Sequence, residues 1–269
     1  MKLQDKRVLV TGGSSGIGLA IARYLIANGA KVVVSGRRPE LVAAAVSELN
    51  AIGGGQAWGV AADVGNTEGR AKTLGDTLAF LGGLDILVNN AGGVRAGRLE
   101  AISEAEIESM VTVDLLAPIL LTRAALPALR ASGDAMVVNV ASGIALIGAP
   151  FYTTYAAVKA GLARFGEALR RELKGEGIHV LTAYPGGTDT PMMRSNRAGP
   201  ELGFSREPAT DVASAIVEGI QLDAFEVIRG GESRAKMIAL NQQNPQALDD
   251  RFLGLKPALE EAVKDHSAL

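Results

Sequence analysis

The chain has no cysteine, few aromatic residues and almost no excess of either charge. Without Cys there is no disulfide framework, no thiol nucleophile and no thiolate metal site. The two histidines, His179 and His266, stand far apart without ligand spacing, so each is expected as a surface or core residue and no metal is expected. Aromatics amount to 4% and the net charge is -2. That balance offers neither a stacking platform nor a basic footprint, so nucleic acid and anionic membrane are not expected as partners. Long apolar runs are missing as well. The first, Val8-Leu9-Val10, is too short for a secretory core. The most apolar later stretch, residues 110–126, is interrupted by Asp114, Pro118 and Arg123, whereas a membrane span needs about 20 apolar residues. These absences lead to the expectation of a cytoplasmic protein.

What is present is an apolar fraction of 48% with 33 glycines, enough for one sizeable core. Short β-branched runs alternate with longer helical patterns. Strands are expected at 7–11, 31–35, 57–62, 85–89, 135–141, 179–183 and 225–229, with helices such as 18–28, 39–50, 104–115 and 155–174 between them. The strands read as near-continuous apolar runs, which marks coverage on both faces. The order predicts an α/β fold, a doubly wound parallel sheet flanked by helices. Residues 1–231 are expected to form this Rossmann-like domain, and residues 232–269 a helical C-terminal extension of it. The stretch 186–207 reads as one long irregular loop, expected to act as a mobile lid carrying Met192, Met193 and Phe204. Arg194 and Arg197 within it read first as solvated surface charges.

Thr11-Gly12-Gly13-Ser14-Ser15-Gly16-Ile17-Gly18 follows the first strand and opens the first helix. Glycines at 12, 16 and 18 permit a tight turn and close backbone approach to a pyrophosphate, which the helix N-terminus then receives. The second strand ends in Ser35-Gly36-Arg37-Arg38. An acid at this point would hold a ribose 2′-hydroxyl, but here Gly36 stands beside two guanidinium groups. Arg37 and Arg38 suit a 2′-phosphate through charge-assisted hydrogen bonds, with Ser14 adding a hydroxyl donor. The expected cofactor is NADP(H) rather than NAD(H).

Tyr155 and Lys159 stand four positions apart on a helical segment, hence on one face with Cβ atoms about 5–6 Å apart. A free phenol titrates near pH ~10, and a neighbouring ammonium favours the phenolate. Ser142 ends the fifth expected strand, on the side of the sheet where ligands bind, and its hydroxyl can donate to a carbonyl oxygen. Ser142, Tyr155 and Lys159 are the expected catalytic set.

With these motifs the chain resembles the short-chain dehydrogenase/reductase family over roughly residues 5–230. Asp63-Val64 after the third strand, Asn89-Asn90-Ala91-Gly92 after the fourth and Pro185-Gly186-Gly187-Thr188-Asp189-Thr190 after the sixth belong to the same resemblance. It implies that Asp63 and Val64 hold the adenine and that the backbone of Asn90, Ala91 and Gly92 lines the cofactor. It also implies that Tyr155 and Lys159 reach the nicotinamide ribose and that Pro185, Gly186, Thr188 and Thr190 lie along the nicotinamide. Ser15 and Ile17 complete the phosphate loop. The implied activity is hydride transfer between nicotinamide and a carbonyl or secondary alcohol, in a homodimer or homotetramer. A catalytically inactive NADP(H)-binding redox sensor is the alternative from another class, and a 3-oxoacyl carrier-protein reductase the alternative within the enzymes. One departure is Asp114, where the family often has Asn; it stays outside the expected catalytic set.

Overall fold

The computed structural model describes residues 1–269. Seven strands make one parallel sheet: β1 (Arg7–Thr11), β2 (Lys31–Gly36), β3 (Gln56–Ala61), β4 (Ile86–Asn89), β6 (Ala135–Val140), β7 (Ile178–Tyr184) and β10 (Glu226–Ile228). Two small ladders accompany it. β5 (Val94–Arg95) pairs antiparallel with β11 (Ser267–Ala268), and β8 (Gly187–Asp189) pairs parallel with β9 (Arg206–Pro208). The sheet order is β10-β7-β6-β4-β1-β2-β3. The chain therefore reverses direction between β1 and β4, and the crevice beyond their carboxyl ends is where such sheets bind ligands. β1, β4 and β6 are buried along nearly their whole length, as strands covered on both faces must be.

One sheet face buries α1 (Gly16–Ala27), α2 (Pro39–Ile52) and α7 (Ala209–Gln221) in a core around Ile21, Leu25, Leu49 and Ile216. The other buries α3 (Thr67–Leu81), α5 (Ala117–Ser132) and α6 (Thr153–Glu172) around Leu84, Leu121, Leu129 and Leu169. Glu104–Ser132 is a single helical run long and apolar enough to cross a membrane by length and composition. Here its Leu121, Ala125 and Leu129 face packs into the sheet core.

That run changes pitch in the middle. α4 (Glu104–Val111) starts on a capping box between Ser103 and Glu106, and a π-helical turn, Thr112–Leu116, then joins it to α5. Pro118 is the physical cause. It has no N–H for the Asp114 carbonyl four residues back, and its ring crowds that carbonyl, so the ladder widens. The wider turn delivers Asp114 inward to complete burial.

Residues 186–207 differ from the expected irregular loop. β8, two 3₁₀ turns (Pro191–Ser195 and Pro200–Leu202) and the start of β9 organise it. In the C-terminal segment, made of α8 (Gly231–Gln243) and α9 (Pro245–Val263), α9 holds it down. The Arg197 N–H donates to the Ala262 carbonyl at 3.0 Å, and the Asn196 side chain donates to the Tyr152 hydroxyl at 2.8 Å. Ala198 and Leu202 join Phe151, Tyr152, Leu259 and Val263 in a satellite core that charge pattern and residue spacing within 186–207 did not reveal. A free-standing lid is replaced by a packed wall. The amides of Arg197 and Ala198 are therefore expected to be protected from hydrogen exchange in the protein without cofactor. Rapid exchange there, slowed only by ligands, would restore the lid.

Candidate active site

A cavity of about 800 Å³ opens at the reversal between β1 and β4. Its wall includes Gly12, Ser14, Ser15, Gly16 and Ile17 from the glycine loop, and Asn90, Ala91 and Gly92 from the loop after β4. Gly12 and Gly16 sit at φ +64 and +55, where a side chain would be strained. Gly18 does not line the cavity. A Cβ there would strike the Asn90 side chain and the Gly12 carbonyl, so this glycine packs the helix against the strand loop instead of approaching a phosphate. Gly13, absent from the expected set, has a parallel role: a Cβ would lie 2.7 Å from Val34 Cγ1. Thr11 locks the two loops together. Its hydroxyl donates to the Val88 carbonyl at 3.2 Å and accepts from the N–H groups of Asn90 and Ala91 at 3.0 and 3.1 Å. The Asn90 side chain donates back to the Thr11 carbonyl at 3.0 Å.

At one end of the cavity stand Gly36, Arg37, Arg38, Asp63 and Val64. Any side chain at position 36 would meet Ser14 Oγ at 2.7 Å, so this corner is kept open by glycine and edged by a hydroxyl. Neither Arg37 nor Arg38 pairs with an Asp or Glu side chain; Arg37 donates to the main-chain oxygen of Leu269 at 3.1 Å. The tail that carries Leu269 arrives there through the β5–β11 ladder, alongside Gly93. Asp63 accepts from the Gly65 N–H at 2.9 Å and turns the chain after β3. A glycine cradle, a β2 end without an acid and two guanidinium groups with no Asp or Glu partner suit a dinucleotide.

At the other end Ser142, Tyr155 and Lys159 share the wall with Pro185, Gly186, Thr188 and Thr190. Ser142 stands two residues past the end of β6, its Oγ accepting from the Ile144 N–H at 3.3 Å. Tyr155 and Lys159 project from α6, with the Lys159 Nζ 5.7 Å from the centre of the Tyr155 ring. Lys159 donates to the Val140 carbonyl at 3.3 Å and pairs with Asp114 at 2.9 Å. This ion pair is buried, with side-chain exposures of 5% and 0%. Asp114 also accepts from the Gly93 N–H at 3.1 Å.

Electrostatics follow from that burial. Desolvation pushes the Tyr155 phenol above its ordinary value; the Lys159 charge opposes the rise, Asp114 adds to it, and Ser142 opposes it. The phenol is thus protonated at neutral pH. Burial works against the Lys159 ammonium, but Asp114 and Tyr155 outweigh it and hold the amine in its charged form. Asp114 itself is pushed upward by burial, with Lys159 and the Gly93 amide pulling it back. His266, the buried histidine, contacts Ser195 Oγ through Nδ1 at 3.1 Å, and burial beside Arg206 and Arg95 lowers its pKa to about 4.

The chain resembles known proteins in sequence and in fold. The short chain dehydrogenase family matches residues 6–201. The ketoacyl reductase HetN of Nostoc sp. is 35% identical over 98% of this chain and 96% of its own length. The 3-oxoacyl-[acyl-carrier-protein] reductase FabG of Vibrio harveyi is 35% identical over 81% of this chain and 90% of its own. Among solved structures, a short chain dehydrogenase from Burkholderia cenocepacia in complex with NADP superposes with a TM-score of 0.79 at 32% identity. That match covers 86% of this chain and 98% of the other. Likeness in sequence runs from the glycine loop past the Tyr155 helix, and likeness in fold covers 86% of the chain, so this chain belongs to the short-chain dehydrogenase/reductase family.

Proposed function

We propose that the chain is an NADP(H)-dependent carbonyl/alcohol oxidoreductase in which Tyr155 is the proton donor and acceptor, Ser142 holds the substrate oxygen and Lys159 stabilises the phenolate. One observation carries this reading: the hydroxyl, phenol and ammonium border the same cavity that Arg37 and Arg38 line at its far corner, neither of them paired with an Asp or Glu side chain. A bound NADPH would supply the hydride from its nicotinamide C4. Ser142 Oγ donates to the carbonyl oxygen as negative charge develops there. Tyr155 then transfers its phenolic proton to that oxygen, which its raised pKa leaves available at neutral pH. Lys159, kept charged by Asp114, offsets the phenolate that remains. Alcohol oxidation runs the same proton path backwards.

Gly12, Ser14, Ser15, Gly16 and Ile17 would hold the phosphates, Asp63 and Val64 the adenine, and Asn90, Ala91, Gly92, Pro185, Gly186, Thr188 and Thr190 the ribose and nicotinamide. A 3-oxoacyl thioester is the second reading for the substrate, supported by the names of the Nostoc and Vibrio relatives. The redox-sensor alternative has no such support. A homodimer or homotetramer would use the helices over 104–130 and 155–174, where Val111 and Leu116 are exposed.

Cofactor choice tests the first half of the proposal. The Arg37→Ala/Arg38→Ala double variant is expected to bind NADPH at least about tenfold more weakly, with NADH little changed, because a charge-assisted hydrogen bond contributes about 1.5–3 kcal/mol. Fluorescence titration with both cofactors reads it. Equal weakening of the two would remove the 2′-phosphate from these arginines.

A further inference from the structure

The cavity wall carries more positive charge than the cofactor corner and the Lys159 pair account for. Its acidic side chains are Asp63 and Glu207, and Glu207 is already bound to Arg229. Arg206, Arg234 and Arg251 line the same cavity without a carboxylate partner. Arg206 and Arg251 are exposed, but Arg234 is partly buried. It projects from the first turn of α8, and Nη1 donates to the Gly143 carbonyl at 3.3 Å. Gly143 makes that approach possible, since a Cβ there would lie 2.8 Å from Arg234 Cζ. Burial pushes the Arg234 pKa down with no acid near enough to raise it.

A partly desolvated cation with most of its donors unused is costly unless an anion completes it. Gly143 follows Ser142 directly, so Arg234 is anchored at the residue next to the hydroxyl proposed to hold the carbonyl, on the wall of the same cavity. A phosphate at the distant end of a long carrier arm would sit far from that carbonyl. Phe252, Leu255, Met237 and Ile144 make the neighbouring wall apolar.

We propose that Arg234 is a specificity-determining residue that binds a carboxylate of the substrate itself, so that the preferred substrates are oxo acids, or the matching hydroxy acids, with an apolar body. The proposal rests on the reductase reading above. It differs from a thioester substrate, whose phosphates are remote from the reacting carbon.

The test compares acetoacetate and levulinate with their methyl esters, and with acetoacetyl-CoA, as substrates for NADPH oxidation by the wild type and Arg234→Gln. The wild type is expected to favour the acids over their esters by about tenfold or more in kcat/KM, mainly through KM, as loss of a charge-assisted pair predicts. Arg234→Gln should bring that ratio to about one, and Arg234→Lys should restore part of it. An ester preference in the wild type, or an acid preference that survives Arg234→Gln, would overturn the proposal. So would a loss in Arg234→Gln that falls on NADPH or acetoacetyl-CoA instead, because Arg234 would then grip a phosphate. Should none of these compounds be reduced, the reductase reading fails for them, and calorimetric titration of levulinate into the NADP⁺-loaded protein still decides the role of Arg234. Binding by the wild type that disappears in Arg234→Gln upholds it; no binding, or equal binding by both, refutes it.

Discussion

Replacing Tyr155 by Phe is expected to lower kcat by about 10²–10⁴-fold while leaving the Kd for NADPH close to that of the wild type, the size of effect that removing a general acid produces. The change deletes the Tyr155 phenolic proton and alters no group of the glycine cradle. Tyr152, the neighbouring phenol, cannot substitute for it. Its ring centre is 6.4 Å from that of Tyr155, its hydroxyl is engaged by Asn196 at 2.8 Å, and burial pushes its pKa far up. A kcat within threefold of the wild type, roughly 0.7 kcal/mol in barrier height, would mean that the proton comes from elsewhere.

The second large effect is expected at Asp114. Breaking a buried ion pair by removing one partner costs about 3–5 kcal/mol, because the other charge is left uncompensated. Asp114→Leu strands the Lys159 ammonium with only the Val140 carbonyl to accept from it. Its Tm should therefore fall by on the order of 10 °C. Asp114→Asn keeps the acceptor for the Gly93 amide and should fold better. It also removes the negative charge that raises Tyr155. A lower phenol pKa means that phenolate forms at lower pH, so the rising limb of the alcohol-oxidation rate should move to lower pH. Calorimetry on the Leu variant and a pH–kcat profile on the Asn variant read the two effects separately. An unchanged Tm in the first would deny the pair its structural weight, and an unmoved profile in the second would deny its reach to Tyr155.

Asp114 also marks where the sequence stops being legible. The glycine loop, the Ser35–Arg38 turn, Ser142 and the Tyr155/Lys159 pair could be read because each joins a local spacing to a strand end or a helix face. Strand ends slipped by a residue or two, as at β3 and β7, since pairing with neighbours sets them rather than composition. The Asp114–Lys159 contact joins elements distant in sequence, and it needs the π turn at Thr112–Leu116 to exist. Pro118 was the available signal, as a missing donor in an otherwise helical run, and it reads as a simple interruption until the register is known. Gly18 kept its place in the motif but not its expected partner, because helix-to-loop packing depends on Asn90, far along the chain. The wall at 186–207 has no local signature because α9 and Tyr152, which hold it, lie outside it in sequence. Arg234 and Gly143 meet only through the tertiary fold.

The measurement closest to the central claim is isotope transfer. NADPH deuterated at C4 of the nicotinamide, incubated with the protein and a panel of oxo acids, ketones and 3-oxoacyl thioesters, should give an alcohol carrying deuterium on the former carbonyl carbon. The same incubation with Tyr155→Phe should give almost none, although NADPH still binds. NADPH that binds the wild type tightly yet yields no deuterated alcohol from any carbonyl in the panel would contradict the account.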